Sequence, residues 1–270
     1  MSDEFYIGYE PTMPPALAPR MWVTASALIT CAVLLAGVFA AAQGSFSGGR
    51  FDYGREQSFE GRIVEHPYPA LESTSGTGRA QWFWLVGPGK HGAADLVKGL
   101  DGRQVRVSGV LIERDGDNMI EVAPESVTTT SSQTSPISPF HTIGPVTVEG
   151  EIVDSKCHLG VMKPGEGPVH RDCAVRCLLG HIPPMLVFRE GRHQRRVPLV
   201  ATDGDAFSAE LPSLTGRPVR VRGMLLERDA REFLATSARD IEVVGSGLGK
   251  RDELLERRQH PAVAVGISDD

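Results

Sequence analysis

The chain has 270 residues, enough for a membrane segment and two small domains. Its formal net charge of −6 and its 6% aromatic content exclude a nucleic-acid binder, which needs a basic footprint. Charge is mixed along the chain rather than blocked, as on an ordinary globular surface.

Residues 1–20 contain Pro and Tyr without helical periodicity and read as an N-terminal tail. Met21–Ala42 carries no charge. As a helix this stretch covers roughly 33 Å, enough to cross a bilayer, with Trp22 at one end where an indole favours the interface. Ala40-Ala41-Ala42 before Gln43 mimics a signal-peptidase site. The leader lacks a basic n-region, because Asp3, Glu4 and Glu10 outnumber Arg20, so an uncleaved transmembrane helix is expected over 21–42. Cys31 lies inside it as a small apolar residue. Arg20 on one side against Arg50 and Arg55 on the other does not decide orientation. A short tail, one span and a large C-terminal part place that part outside the cytoplasm.

The Gly/Ser-rich residues 43–57 read as a tether. Two β-rich domains are expected at 58–127 and 146–245, separated by the Ser/Thr/Pro tract 128–145, a linker by composition. A polar tail, 246–270, holds a short charged helix around Lys250–Arg258.

The two β-rich segments are copies of each other. Leu100–Asp115 (LDGRQVRVSGVLIERD) and Leu214–Asp229 (LTGRPVRVRGMLLERD) align without gaps. Val105 and Val107 alternate with Arg106, as Val219 and Val221 do with Arg220, the period of a half-buried strand. Gly109 and Gly223 sit mid-strand, where a bulge or sharp bend is expected. Earlier in each copy, Glu60–Val64 pairs with Glu149–Val153. The offset grows from 89 residues at this motif to 114 at the later one, so the second copy carries 25 more residues. Mid-strand glycines and a strand, long excursion, strand order predict two tandem OB-like β-barrels, with an SH3-like barrel or small sandwich as the alternative. In the first copy Trp82 and Trp84 share one strand face and Phe83 takes the other; packing is expected of them before a stacking platform.

Most of the extra residues are a Cys/His-rich insertion between Asp154 and Pro184. It holds Cys157, Cys173 and Cys177, leaving Cys31 as the only other cysteine, and His158, His170 and His181, with Met162 as a soft donor. The first copy bridges the same gap without a cysteine, so the scaffold does not need these thiols to form. Pro168 to Gly180 reads as a short helix, placing His170, Cys173 and Cys177 on one stripe within about 60° of arc. Three readings stand. A disulfide from Cys157 to Cys173 or Cys177 staples the helix to the barrel and leaves one thiol over, closing a loop for about 3 kcal/mol. A metal site draws on Cys157, His158, His170, Cys173, Cys177 and His181, suiting zinc or copper, with Met162 shifting the preference to copper. A reactive thiol, Cys173 or Cys177, stands beside His170, Arg171 and Arg176. Lone histidines such as His66, His91 and His193 are surface residues, and no Gly-rich phosphate loop, Ser-His-Asp order or kinase signature occurs.

The runs Asp154-Ser155-Lys156-Cys157, His170-Arg171-Asp172-Cys173-Ala174-Val175-Arg176-Cys177, Met185-Leu186-Val187-Phe188 and Gly216-x-x-Val219-x-Val221-x-Gly223 resemble a group of small exported bacterial domains with a DSxC…C-x3-C insertion. The resemblance covers about 147–244 and, more weakly, 58–128. It implies an OB-type barrel and export; it implies no reaction. The anchor and the duplicated barrel depart from that group.

Together these readings predict a single-pass protein of a bacterial inner membrane with its barrels in the periplasm. Its expected role is that of a metal-binding or redox-associated accessory subunit of a membrane or periplasmic protein complex. The alternative is a structural interaction module whose cysteines form a disulfide staple. An enzyme ranks behind both.

Overall fold

The computed structural model describes residues 13–43, 48–73, 81–207 and 211–245. The first part of the expected tail, the middle of the tether at 44–47 and the C-terminal tail with its charged helix at Lys250–Arg258 lie outside the described residues.

Helix α1, Ala18–Gln43, has 26 residues and no charged side chain beyond Arg20. At about 1.5 Å per residue it is some 39 Å long. It is long and apolar enough to cross a membrane, a property that signal sequences near an N-terminus share, and its apolar side chains Trp22, Leu28, Val33 and Phe39 are exposed all round.

The rest is mainly β and forms two closed five-stranded barrels. The first comprises β1 (Arg50–Val64), β2 (Ala70–Ser73), β3 (Gln81–Val86), a short helix α2 (Ala94–Val97), β4 (Arg103–Arg114) and β5 (Asp117–Val122). It closes in the order β1-β2-β3-β5-β4, with β4 returning onto β1; β3 and β5 run parallel and the other pairs antiparallel. β6 (Thr128–Thr134) adds to β4. The second barrel repeats this order with β7 (His141–Asp154), β8 (Pro184–Glu190), β9 (His193–Ala201), β10 (Pro218–Arg228) and β11 (Arg231–Thr236), and β12 (Ile241–Val243) adds to β10 as β6 does to β4. Helix α3 (Arg171–Leu179) lies between β7 and β8.

Two boundary expectations change. The tether 43–57 is strand from Arg50 onward, because Arg50 and Phe51 already pair with Glu113 and Ile112 of β4. The tract 128–145, expected as a linker, holds β6 and the start of β7: Thr128 and Thr129 pair with Arg106 and Val105, and His141 pairs with Glu227. Threonine's branched side chain suits an exposed edge strand even where no apolar alternation announces it. Of the bulge or sharp bend expected at the mid-strand glycines, no bulge forms at either. Register shifts fall between Phe51 and Glu56 and between Leu225 and Leu226 instead. A Cβ on Gly109 would strike the carbonyl of Glu121, and one on Gly223 that of Ala235, so these glycines let the coiled strands approach.

Three apolar clusters follow. Ile63, Leu85, Val105, Val107 and Ile120 fill the first barrel, and Ile152, Leu186, Val219, Val221 and Leu234 fill the second. The third lies between the barrels and takes Trp82, Trp84, Ile112 and Met119 from one and Cys157, Met185, Val200 and Phe233 from the other. Trp84 meets Phe233 edge-on, with ring centroids 6.0 Å apart. The strand face shared by Trp82 and Trp84 is thus the inter-barrel face, while Phe83 points into its own barrel.

Candidate metal centre

The chain leaves β7 at Asp154 and enters a tight turn, Cys157–Val161. Asp154 starts it: its Oδ1 accepts the Cys157 N–H at 2.8 Å, the local bond that a carboxylate makes three residues ahead at a helical start. Gly160 packs against the beginning of β1, where a Cβ would come within 2.6 Å of the Arg50 carbonyl, so the turn is pinned to the first barrel. The chain then reaches α3, which ends at Gly180. Gly180 N–H bonds the Arg176 and Cys177 carbonyls, both at 3.1 Å.

These elements bring three sulfurs together. Cys157 Sγ lies 3.9 Å from both Cys173 Sγ and Cys177 Sγ, and all three lie within 4.8 Å of one another. All are free thiols. Cys157 and Cys177 are buried and Cys173 is half-buried. The cluster can hold a metal ion. A bonded disulfide would need about 2.05 Å.

Two further groups flank the sulfurs. Asp154 Oδ2 is 2.9 Å from His170 Nε2, and Asp154, Cys157 and His170 form a second cluster, fully buried, with ligand atoms within 4.8 Å. On the opposite barrel, Lys90 Nζ donates to Cys173 Sγ at 2.8 Å and to Cys177 Sγ at 3.7 Å. Its loop is held in place from the second barrel. Lys156 Nζ donates to the carbonyls of Gly87 at 2.9 Å and Gly89 at 2.6 Å while pairing with Glu121, and Gly92 N–H bonds the Gly180 carbonyl at 2.7 Å.

The electrostatics follow from this packing. The Cys157 thiol donates to Cys177, which holds the Cys157 pKa up, with burial adding to it, and favours the Cys177 thiolate. The Cys173 sulfur raises the Lys90 pKa, so the ammonium is retained. Burial opposes ionisation of Asp154, but His170 and the Cys157 N–H together hold its carboxyl below the usual range.

Of the six residues expected as ligands, the structure brings Cys157, Cys173 and Cys177 into one cluster and sets His170 beside it through Asp154. His158 goes elsewhere. It is fully buried, its Nδ1 lies 3.2 Å from Glu166 and its carbonyl accepts from Arg114 at 2.9 Å, so burial holds its pKa below the ordinary value against the pull of Glu166. His181 is exposed with φ 66° at the end of α3 and joins no cluster among the described residues, and Met162 is exposed. Arg171 and Arg176 were expected beside the thiols; the cation that donates to them is Lys90. Lys90 and Asp154 were missed as site residues. Asp154 stands in the Asp-Ser-Lys-Cys run, and Lys90 carries only the signal of its turn, Gly87-Pro88-Gly89-Lys90-His91-Gly92, whose glycines suit close approach.

Compared with protein-family models, curated proteins and solved structures, the chain finds no match.

Proposed function

We propose that the chain is a membrane-anchored accessory protein that presents a three-thiolate site for a soft metal ion outside the cytoplasm. In this reading the protein serves a membrane or periplasmic protein complex. The observation that carries it is the sulfur triangle. A zinc–sulfur bond of about 2.3 Å with tetrahedral angles sets sulfurs about 3.8 Å apart, close to the 3.9 Å separations around Cys157. Zinc and copper both suit thiolates.

Both barrels are read as OB-type, on the support of the closing order β1-β2-β3-β5-β4 with β3 parallel to β5, found twice. The stretch from Asp154 to Pro184 is then an insertion into the second barrel, since the first barrel closes without it. The apolar helix α1 supports the anchor.

The test uses the full chain in detergent, purified without reductant or chelator, with elemental analysis and an intact-mass thiol count on one sample. One zinc or copper per chain with all three thiols of the cluster alkylatable after unfolding is expected. No metal and a single free thiol among the three would replace this reading with the disulfide staple and an interaction module.

A further inference from the structure

We propose, resting on the metal reading above, that the three-sulfur site carries one cuprous ion as cargo and that Lys90 is its release residue. Four observations converge on this.

The metal is not needed to build the fold. The first barrel closes in the same strand order with no cysteine, whereas a structural metal supplies folding energy to its domain. The donor set is short by one. Among the described residues no fourth ligand group lies within 4.8 Å of all three sulfurs; Asp154 and His170 approach from the Cys157 side, where Asp154 also meets Cys177. Structural zinc takes four protein ligands, while three thiolates alone satisfy a soft ion of low coordination number, which Cu(I) is.

The neighbour on the Cys173–Cys177 edge is an ammonium, which has no lone pair to give a metal. Lys90 therefore competes with the ion for the Cys173 thiolate, and its charge disfavours a cation a few ångströms away. Finally, burial is graded. Cys157 and Cys177 are closed off at 3% and 1% exposure, while Cys173 is the sulfur nearest solvent. It is the ligand an acceptor reaches first.

Release is then a ligand exchange without redox change. A thiolate or thioether sulfur of the acceptor bonds to copper as the Cys173–copper bond breaks. Copper stays monovalent, and the thiolate charge left on Cys173 is taken by the Lys90 ammonium. No electron is transferred, and no proton moves in this first step. The same exchange at Cys157 and Cys177 completes the transfer, Cys157 taking one proton from water as its copper bond breaks.

The experiment uses the full chain in detergent under anaerobic conditions, loaded with one equivalent of Cu(I) and titrated with the colorimetric chelator bathocuproine disulfonate. Wild type is expected to bind one cuprous ion, with X-ray absorption showing three sulfur neighbours. Lys90→Met and Lys90→Gln are expected to hold copper at least about tenfold tighter and release it correspondingly slower, whereas Lys90→Arg, which keeps the charge, behaves as wild type. Near-UV circular dichroism checks that each variant retains its packing. One copper bound with unchanged or weakened affinity in both neutral variants overturns the release role and leaves the metal reading standing. Zinc retained with a fourth nitrogen or oxygen neighbour overturns the cargo role. No metal bound by wild type removes both.

Discussion

Arg114 and Arg228, the arginines of the duplicated L-x-E-R-D motif, each cross from their own barrel to a backbone carbonyl of the other. Arg114 Nη1 donates to His158 O at 2.9 Å, and Arg228 Nη1 donates to His66 O at 2.6 Å. The receiving residues occupy related places, just past the first strand of each barrel. The duplication thus packs as a pseudo-symmetric pair, each copy gripping the excursion of the other. Both guanidiniums are nearly buried, and Arg228 also lies over the Phe140 ring at 3.7 Å. Arg114→Met is expected to cost about 2–3 kcal/mol, because the buried His158 carbonyl loses a charged donor, and Arg228→Met about 1–2 kcal/mol, because the His66 carbonyl lies in a part-buried bond. Urea unfolding of the folded variants measures this; a loss below about 0.5 kcal/mol in both would mean that the crossing contacts do not hold the pair together.

Tyr68 makes a second crossing. Its hydroxyl donates to the Leu199 carbonyl at 2.7 Å and accepts the Phe207 N–H at 2.9 Å, both from the second barrel. Burial pushes its pKa far above the ordinary phenol value, with the Phe207 amide opposing. Tyr68→Phe keeps the ring and removes both bonds, so it should destabilise the protein by about 1–3 kcal/mol. Equal denaturation midpoints for the two proteins would contradict this.

What the sequence exposed was local or repeated. The period-two alternation around Val105 and Val219 marks real strands, and Trp82, Phe83 and Trp84 divide between two faces as their alternation implies. The stripe of Cys173 and Cys177 is legible because α3 is a continuous helix ending at Gly180. What stayed hidden is set by distance along the chain. Lys90 reaches Cys173 from 83 residues away, and no periodicity encodes a contact between two separately folded barrels. Cys157 and His158 are adjacent yet serve different clusters, since the tight turn sends neighbouring side chains apart. The strand character of Thr128–Thr134 was masked because an exposed edge needs no apolar face.

Glu151 provides a pH signature outside the sulfur cluster. Burial raises its pKa above 4.5, with the Gly167 N–H opposing and Glu166 adding to the rise. A group whose folded pKa is raised contributes stability below the unfolded value and loses it as pH climbs through the folded value. Glu151→Gln keeps an acceptor for Gly167 and removes the titration. Its melting temperature relative to wild type is therefore expected to be higher at pH 7 than at pH 4. A difference that is flat across this range, or that runs the other way, would contradict the assigned burial effect.

Gly180 tests the seam beside the thiols. Its φ of −85° and ψ of 12° suit any residue, so alanine there carries no backbone strain. Alanine would also favour the helix end by propensity. The opposing factor is contact: a Cβ on Gly180 would collide with the Lys90 carbonyl, where the first barrel's loop lies against α3 and Gly92 bonds the Gly180 carbonyl. Backbone cannot yield as a flexible side chain does, so Gly180→Ala should destabilise by about 1–3 kcal/mol. Leu179→Ala is the control, since Leu179 is 57% exposed at the same helix end and its loss should stay within about 0.5 kcal/mol. If Gly180→Ala proves as stable as wild type in thermal unfolding, the Lys90 loop does not rest on α3, and the approach of Lys90 to Cys173 fails with it.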